Sequence, residues 1–329
     1  MTVEKKTILV TGGAGYIGSH TCKALAAAGY VPLVYDNLIH SHQSAVQWGN
    51  LEPGDIADRA RLNAVIERYD PYAVMHFAAF AYIGESVSDP GKYYRNNVAG
   101  TLTLLEAMRD HRINRLVFSS SCATYGIPDQ LPITEATPQR PINPYGASKL
   151  MAERMIADFG AAHEIGWIAL RYFNAAGADP DQEIGEAHDP ETHLIPLAIR
   201  AASGRGPSLT IFGSDYDTPD GTCLRDYVHV SDLAAAHVLA LAALDQGLPS
   251  QAINLGNGDG YSVLDIVAAV KRVTGLDVPY CLAPRRHGDP PILISDATRA
   301  RTLLGWASQR TSIESIVETA WAWHQRADR

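Results

Sequence analysis

Five short runs of apolar and β-branched residues punctuate the first half of the chain: Thr7–Thr11, Val31–Tyr35, Ala73–Ala78, Arg115–Ser119 and Trp167–Tyr172. Each is bounded by polar or glycine-rich sequence and reads as a buried strand. Between them lie stretches of helical length, His20–Gly29, Asp58–Tyr69, Asn97–His111 and Tyr145–His163. Strand and helix alternate roughly every 25–40 residues, which predicts parallel βαβ units in a doubly wound α/β sheet. After Asn174 the rhythm breaks: residues 175–227 are rich in Gly, Pro and Asp, and helical patterning returns at Val228–Asp245, Ser262–Thr274 and Ser312–Arg326. The pattern predicts a boundary near residue 175. A unit over 1–175 is then followed by a smaller mixed α/β unit over 176–329, which sends some elements back to the first sheet.

Composition narrows the function classes. Of 329 residues, 46% are hydrophobic and 19% charged, a globular balance. A net charge of -9 argues against a nucleic-acid surface, so an anionic ligand would need a local arginine cluster. No apolar run approaches the ~18 residues of a membrane helix, and the polar start, Met1 to Lys6, does not fit a signal peptide. Cys22, Cys122, Cys223 and Cys281 lie far apart with no CxxC pair. They argue against a zinc site and a disulfide framework, and no metal is expected; a reducing, cytoplasmic setting suits them.

The first strand runs directly into Gly12-Gly13-Ala14-Gly15-Tyr16-Ile17-Gly18, and a helical pattern follows. Glycines permit the close backbone approach that a pyrophosphate needs, and the helix N-terminus presents free N–H groups to it. In this setting the motif predicts a dinucleotide site in a Rossmann-type sheet. The second strand leads to Asp36, about 20 residues on, where a carboxylate accepts from ribose hydroxyls and would repel a 2′-phosphate. NAD is therefore favoured over NADP. Asp55, in Gly54-Asp55-Ile56, ends a third extended segment and could meet the adenine; a solvated turn is the alternative reading for both aspartates.

Tyr145 and Lys149 stand four residues apart behind Asn143-Pro144, which reads as a helix N-cap with proline in the first turn. On a helix that spacing sets the ammonium beside the phenol, where a cation would favour the phenolate over its usual pKa near 10. Such a tyrosine can take a proton from a substrate hydroxyl. The hydroxyl-rich run Phe118-Ser119-Ser120-Ser121-Cys122-Ala123-Thr124-Tyr125 leaves the end of another strand, where parallel sheets bind ligands. Ser121 is the candidate to orient a substrate oxygen, with Thr124 in reserve.

Together these features resemble the extended short-chain dehydrogenase/reductase family, and within it the UDP-sugar 4-epimerases. The likeness continues through Gly84-Glu-Ser-Val87, Asn96-Asn97-Val98, Leu170-Arg-Tyr-Phe-Asn174, Asp220-Gly-Thr222, Arg225-Asp-Tyr-Val-His229 and Ala283-Pro-Arg-Arg286. It implies an isomerase that interconverts UDP-glucose and UDP-galactose through transient oxidation at C4, with NAD kept bound, in a homodimer. Tyr145 would be the acid/base residue, Lys149 would hold the nicotinamide ribose and lower the tyrosine pKa, and Ser121 would bond the 4-oxygen. The resemblance adds Asn37, Ile56, Phe77, Ala78, Ala79, Asn96 and Phe173 to the cofactor site. Asn174, His193, Leu194, Phe212, Arg225, Arg286, Asp289 and Leu293 fall around the UDP-sugar, and arginine suits a diphosphate because it bonds phosphate bidentately.

Some positions depart from the family pattern. Ala81 stands where a cofactor-contacting lysine is common, and Thr192-His193-Leu194 replaces Asn-Asn-Leu beside the uridine. Leu293 occupies a position that gates sugar size, and a leucine is intermediate. That position bears on 2-acetamido sugars; separately, Cys122-Ala-Thr-Tyr125 resembles the UDP-xylose and UDP-arabinose 4-epimerases, so a pentose substrate stays open. A 4,6-dehydratase would need an acid/base pair where Cys122 and Ala123 stand. A non-catalytic NAD sensor would have no use for Tyr145, Lys149 and Ser121 together.

Overall fold

The computed structural model describes residues 6–286 and 289–326. Seven parallel strands form the central sheet: β1 Thr7–Thr11, β2 Val31–Asp36, β3 Asn50–Pro53, β4 Ala73–His76, β5 Arg115–Ser121, β6 Gly166–Tyr172 and β7 Gln251–Leu255. Their spatial order is β7-β6-β5-β4-β1-β2-β3, a doubly wound arrangement whose direction of winding reverses between β1 and β4. The five strands read from the sequence lie here within two residues of their expected ends. Joining them, β3 is the extended segment before Asp55 and β7 comes from the later part of the chain.

Alternation along the strands explains the two layers that cover the sheet. Ile8, Val10, Met75, Val117, Ile168 and Leu170 face helix α1 (Tyr16–Ala27) and a later helix, Val230–Asp245. Leu9, Val74, Leu116, Phe118 and Ala169 face the opposite way, onto α2 (Arg59–Tyr69), α3 (Gly100–Asp110) and α4 (Pro144–His163). Successive side chains on a strand point to opposite faces, so uninterrupted apolar runs are what a sheet buried on both sides requires. Fully burying each such side chain contributes about 1.5–3 kcal/mol.

The remaining residues build a second apolar cluster from Ile195, Ile199, Ile266, Val270, Ile316 and Val317. These lie on Leu194–Ala202, Val263–Thr274 and Ile313–Arg326. Short ladders tie this part together: Tyr280–Ala283 pairs with Leu209–Phe212, and Ile292–Leu293 pairs with Leu224–Arg225. No described helix is long and apolar enough to cross a membrane.

Candidate active site

The glycine turn is shaped by close approach. Gly12 has φ +73, and a Cβ there would lie 2.6 Å from the Ala78 nitrogen; a Cβ at Gly18 would lie 2.2 Å from the Gly12 carbonyl. Only glycine fits these two positions. Phe77 and Ala78 both donate their N–H groups to the Thr11 carbonyl, which seats the segment after β4 over the turn. Helix α1 then begins at Tyr16 with no side-chain cap on its N-terminus. A bare, crowded backbone leading into free helical N–H groups fits a dinucleotide pyrophosphate.

Asp36 is buried at the end of β2 and accepts from the Ala14 and Leu38 N–H groups at 3.0 and 2.9 Å and from the Ser41 hydroxyl at 2.7 Å. This joins it to the glycine turn, and the solvated-turn alternative fails for it. Asp55 is exposed instead, accepting from Asn37 Nδ2 and the Ala57 N–H, while Ile56 beside it is buried. Tyr16 spends its hydroxyl on the Gly177 carbonyl, 2.6 Å away, leaving its backbone to the turn, and Ile17 packs into the core.

Tyr145 sits in the first turn of α4, whose N-cap Asn143 accepts from the Gly146 N–H at 2.8 Å with Pro144 following, as the sequence predicts. The phenol is 9% exposed, and burial pushes its pKa up to about 12; the Ser121 hydroxyl beside it acts in the opposite sense. Lys149 shares the helix face but donates from Nζ to the Ser119 carbonyl at 2.8 Å, and burial pushes it down to about 7. In this arrangement the Lys149 Nζ is engaged by the Ser119 carbonyl, and Ser121 is the group that bears on the phenol. Ser121 ends β5 and accepts from the Ala123 N–H, whereas Thr124 donates to the Ser121 carbonyl. Thr124 is thus committed to the backbone, and Ser121 is the hydroxyl next to Tyr145.

Two buried sets hold this constellation. Asn97 lies in a π-helical turn, Tyr94–Ala99, and its amide joins Phe80 N–H and carbonyl, Asn96 Nδ2 and the Ser148 hydroxyl, all at 2.9–3.0 Å. It therefore ties the Phe77–Phe80 segment, with Ala79, to the helix of Tyr145. Glu153 accepts from Arg171 Nε and Nη2 at 2.9 and 2.5 Å, and also bonds Ser120, so α4 is clamped to β5 and β6. Neither Asn97 nor Glu153 was singled out from the sequence; the Asn-Asn pair and the arginine following Leu170 were the available signals.

Leu293, Phe173, Cys122, Tyr125 and Ile133 form one small buried cluster beside Ser121. Leu293 is in register with Arg225, and the Asn174 N–H donates to the Asp226 carbonyl, so these four residues converge next to the ends of β5 and β6. Arg225 is buried and ion-paired with Asp289; Arg286 lies over the Phe212 ring at 3.9 Å. The pairing sets the Asp289 carboxylate beside the Arg225 guanidinium. His193 precedes the helix Leu194–Ala202 and turns its Nδ1 to Glu186.

Likeness to known proteins points the same way. A sequence profile of the NAD dependent epimerase/dehydratase family matches residues 8–256. The UDP-glucose 4-epimerase of Rhizobium meliloti (strain 1021) is 51% identical over 327 residues, with 99% of each chain covered. A crystal structure of UDP-glucose 4-epimerase from Brucella ovis in complex with NAD has a TM-score of 0.94 at 56% identity, covering 96% of this chain and 98% of that one. The UDP-glucose 4-epimerase from Bifidobacterium longum in complex with NAD+ and UDP gives 0.94 at 37% identity, covering 98% of this chain and 99% of that chain.

Proposed function

The chain belongs to the NAD dependent epimerase/dehydratase family, and from that premise we propose that it interconverts UDP-glucose and UDP-galactose at C4. The observation that carries this reading is the convergence of Tyr145 and Ser121 at the strand ends that also bear the glycine turn. When bound, NAD takes up the C4 hydride and gives it back, and in its oxidised form it brings a positive charge. The residues suited to hold it are Gly12, Gly13, Gly15 and Gly18 at the pyrophosphate, Asp36 at a ribose, and the Phe77–Ala79 and Asn96 segments alongside.

Tyr145 Oη accepts the proton of the sugar 4-hydroxyl and later returns it to the same oxygen, so no net acid or base is consumed. Burial raises the phenol's pKa, and the positive charge of the oxidised cofactor beside it would favour the deprotonated form. Ser121 hydrogen-bonds the 4-oxygen and sets its distance from Tyr145. Lys149, fixed on the Ser119 carbonyl, holds the nicotinamide ribose as a donor. Arg225 and Arg286 grip the diphosphate while the keto sugar turns over, with Asn174 and Leu194 alongside and Leu293 limiting its bulk.

We assign residues 1–175 to the cofactor half and 176–329 to the UDP-sugar half. A homodimer is supported by exposed Tyr94, Leu102 and Met151 on neighbouring helical segments. A cytoplasmic setting is supported by four cysteines that are all free. The test offers UDP-galactose, UDP-N-acetylgalactosamine and UDP-arabinose separately, without added NAD, and compares kcat/KM. UDP-galactose should be preferred and yield UDP-glucose; a 4-keto-6-deoxy product, or no conversion, would sink the reading.

A further inference from the structure

The segment Gly185–Leu194 takes no part in the proton transfer, yet it gathers four metal-ligating side chains within eight residues: Glu186, His188, Glu191 and His193. One ligand atom from each lies within 4.8 Å of all the others. His188 Nδ1 is 3.0 Å from Glu186 Oε1, His193 Nδ1 is 3.7 Å from Glu191 Oε1, and His193 Nδ1 also contacts Glu186 Oε1. Four ligands with arms of 2.0–2.1 Å around a tetrahedral ion stand about 3.3 Å apart; the His188–Glu186 and His193–Glu191 separations bracket that spacing, and the His193–Glu186 hydrogen bond has to open to admit the ion.

Burial supplies an independent reason. The side chains of Glu186 and Glu191 are 5% and 0% exposed, so two carboxylates face each other out of water. Glu191 Oε1 accepts from the Thr192 and His193 N–H groups, but its Oε2 is buried with no hydrogen-bond partner. His193 meets Glu186 Oε1, but the Glu191 Oε2 atom has no such partner, and a bare carboxylate oxygen beside a second buried carboxylate is costly unless a further cation neutralises it. A divalent ion with two neutral imidazoles would close the set at zero net charge.

Four separate parts of the chain hold the frame. Trp323 Nε1 donates to the Glu186 carbonyl at 3.0 Å, the His42 ring bonds the Ala187 carbonyl, and the Tyr82 hydroxyl reaches the Pro190 carbonyl. The Tyr16 and Tyr82 rings stand edge-on to His188. A nearby acidic group, Asp179, Asp181 and Glu183, makes the contrast: its three carboxylates surround the Lys23 ammonium at 2.7–2.8 Å, so its cation is built in.

We propose that Glu186, His188, Glu191 and His193 bind one divalent transition-metal ion, for which zinc is the best match. Two imidazoles and two carboxylates suit zinc better than calcium or magnesium, which take oxygen ligands. With all four positions filled by protein the site is structural, and it fixes the approach to the helix Leu194–Ala202. The expectation of no metal rested on the cysteines, and this group contains none.

The test uses the full-length protein with its own cofactor. The protein is stripped with a chelator, given zinc chloride, dialysed against metal-free buffer, and its zinc is counted by inductively coupled plasma mass spectrometry. One zinc per chain should remain, and cobalt(II) in its place should give the intense visible bands of a four-coordinate ion. Glu191→Gln should weaken zinc at least by the roughly 10–100-fold seen when only a supporting partner is lost. His188→Ala combined with His193→Ala should abolish binding, while Asp181→Ala should leave the stoichiometry unchanged. Zinc lost on dialysis of the parent, full zinc in the double variant, or loss of zinc in Asp181→Ala would each overturn the site. If the double variant does not fold, the cobalt spectrum of the parent decides: weak six-coordinate bands refute the proposal.

Discussion

Tyr145 and Lys149 illustrate what burial does to a pair that spacing brings together. Burial disfavours both charged forms, taking the phenol up to about 12 and the amine down to about 7. Tyr145→Phe should keep the fold and the bound NAD but lower turnover by about 10²–10⁴-fold, read from UDP-galactose conversion and NAD content after denaturation. Lys149 allows a stability prediction. Its folded pKa lies below the unfolded value near 10.4, so the unfolded chain binds more protons between these values. Parent stability should therefore rise as pH climbs from about 7 towards 10. Cofactor-free Lys149→Met should be the more stable protein at pH ~6, and its advantage should shrink by pH ~9. Urea midpoints at the two pH values check this, and an advantage that grows with pH would contradict it.

At the scale of elements, the strands and the longer helices of the first 175 residues were legible because continuous apolar runs, caps and glycines agree locally, whereas the short helices Ile83–Ser88 and Pro90–Tyr93 were not. The N-cap Asn143 and the glycine turn are local devices, and so appear in sequence. What was hidden depends on residues farther apart in the chain: the salt bridge from Glu153 to Arg171, and the amide of Asn97 reaching Phe80 and Ser148. The π-helical turn Tyr94–Ala99 also has no periodic signature distinct from the helix that follows it. Glu153→Gln would leave the Arg171 guanidinium buried beside an uncharged amide, with an expected loss of about 3–5 kcal/mol in chemical denaturation. Gly18→Ala drives a methyl group against the Gly12 carbonyl, so the purified variant should carry little or no NAD. An NAD content equal to the parent's would show that the turn can yield.

For the whole molecule, the sheet is not closed by the first 175 residues. Strand β7 caps β6, and the helix Val230–Asp245 covers the face on which Ile168 and Leu170 lie. A fragment ending at residue 175 should therefore lack a cooperative thermal transition by circular dichroism, whereas the full chain should show one. The same feature bears on how the protein is made. At ~5–20 residues per second, roughly 4–17 s separate the emergence of β6 from that of β7 during translation. Through that interval the nascent chain on the ribosome carries a bare sheet edge, the kind of surface that recruits a neighbouring strand. Growth in a cell short of chaperones should show itself first as aggregates of incomplete chains, with the finished protein spared.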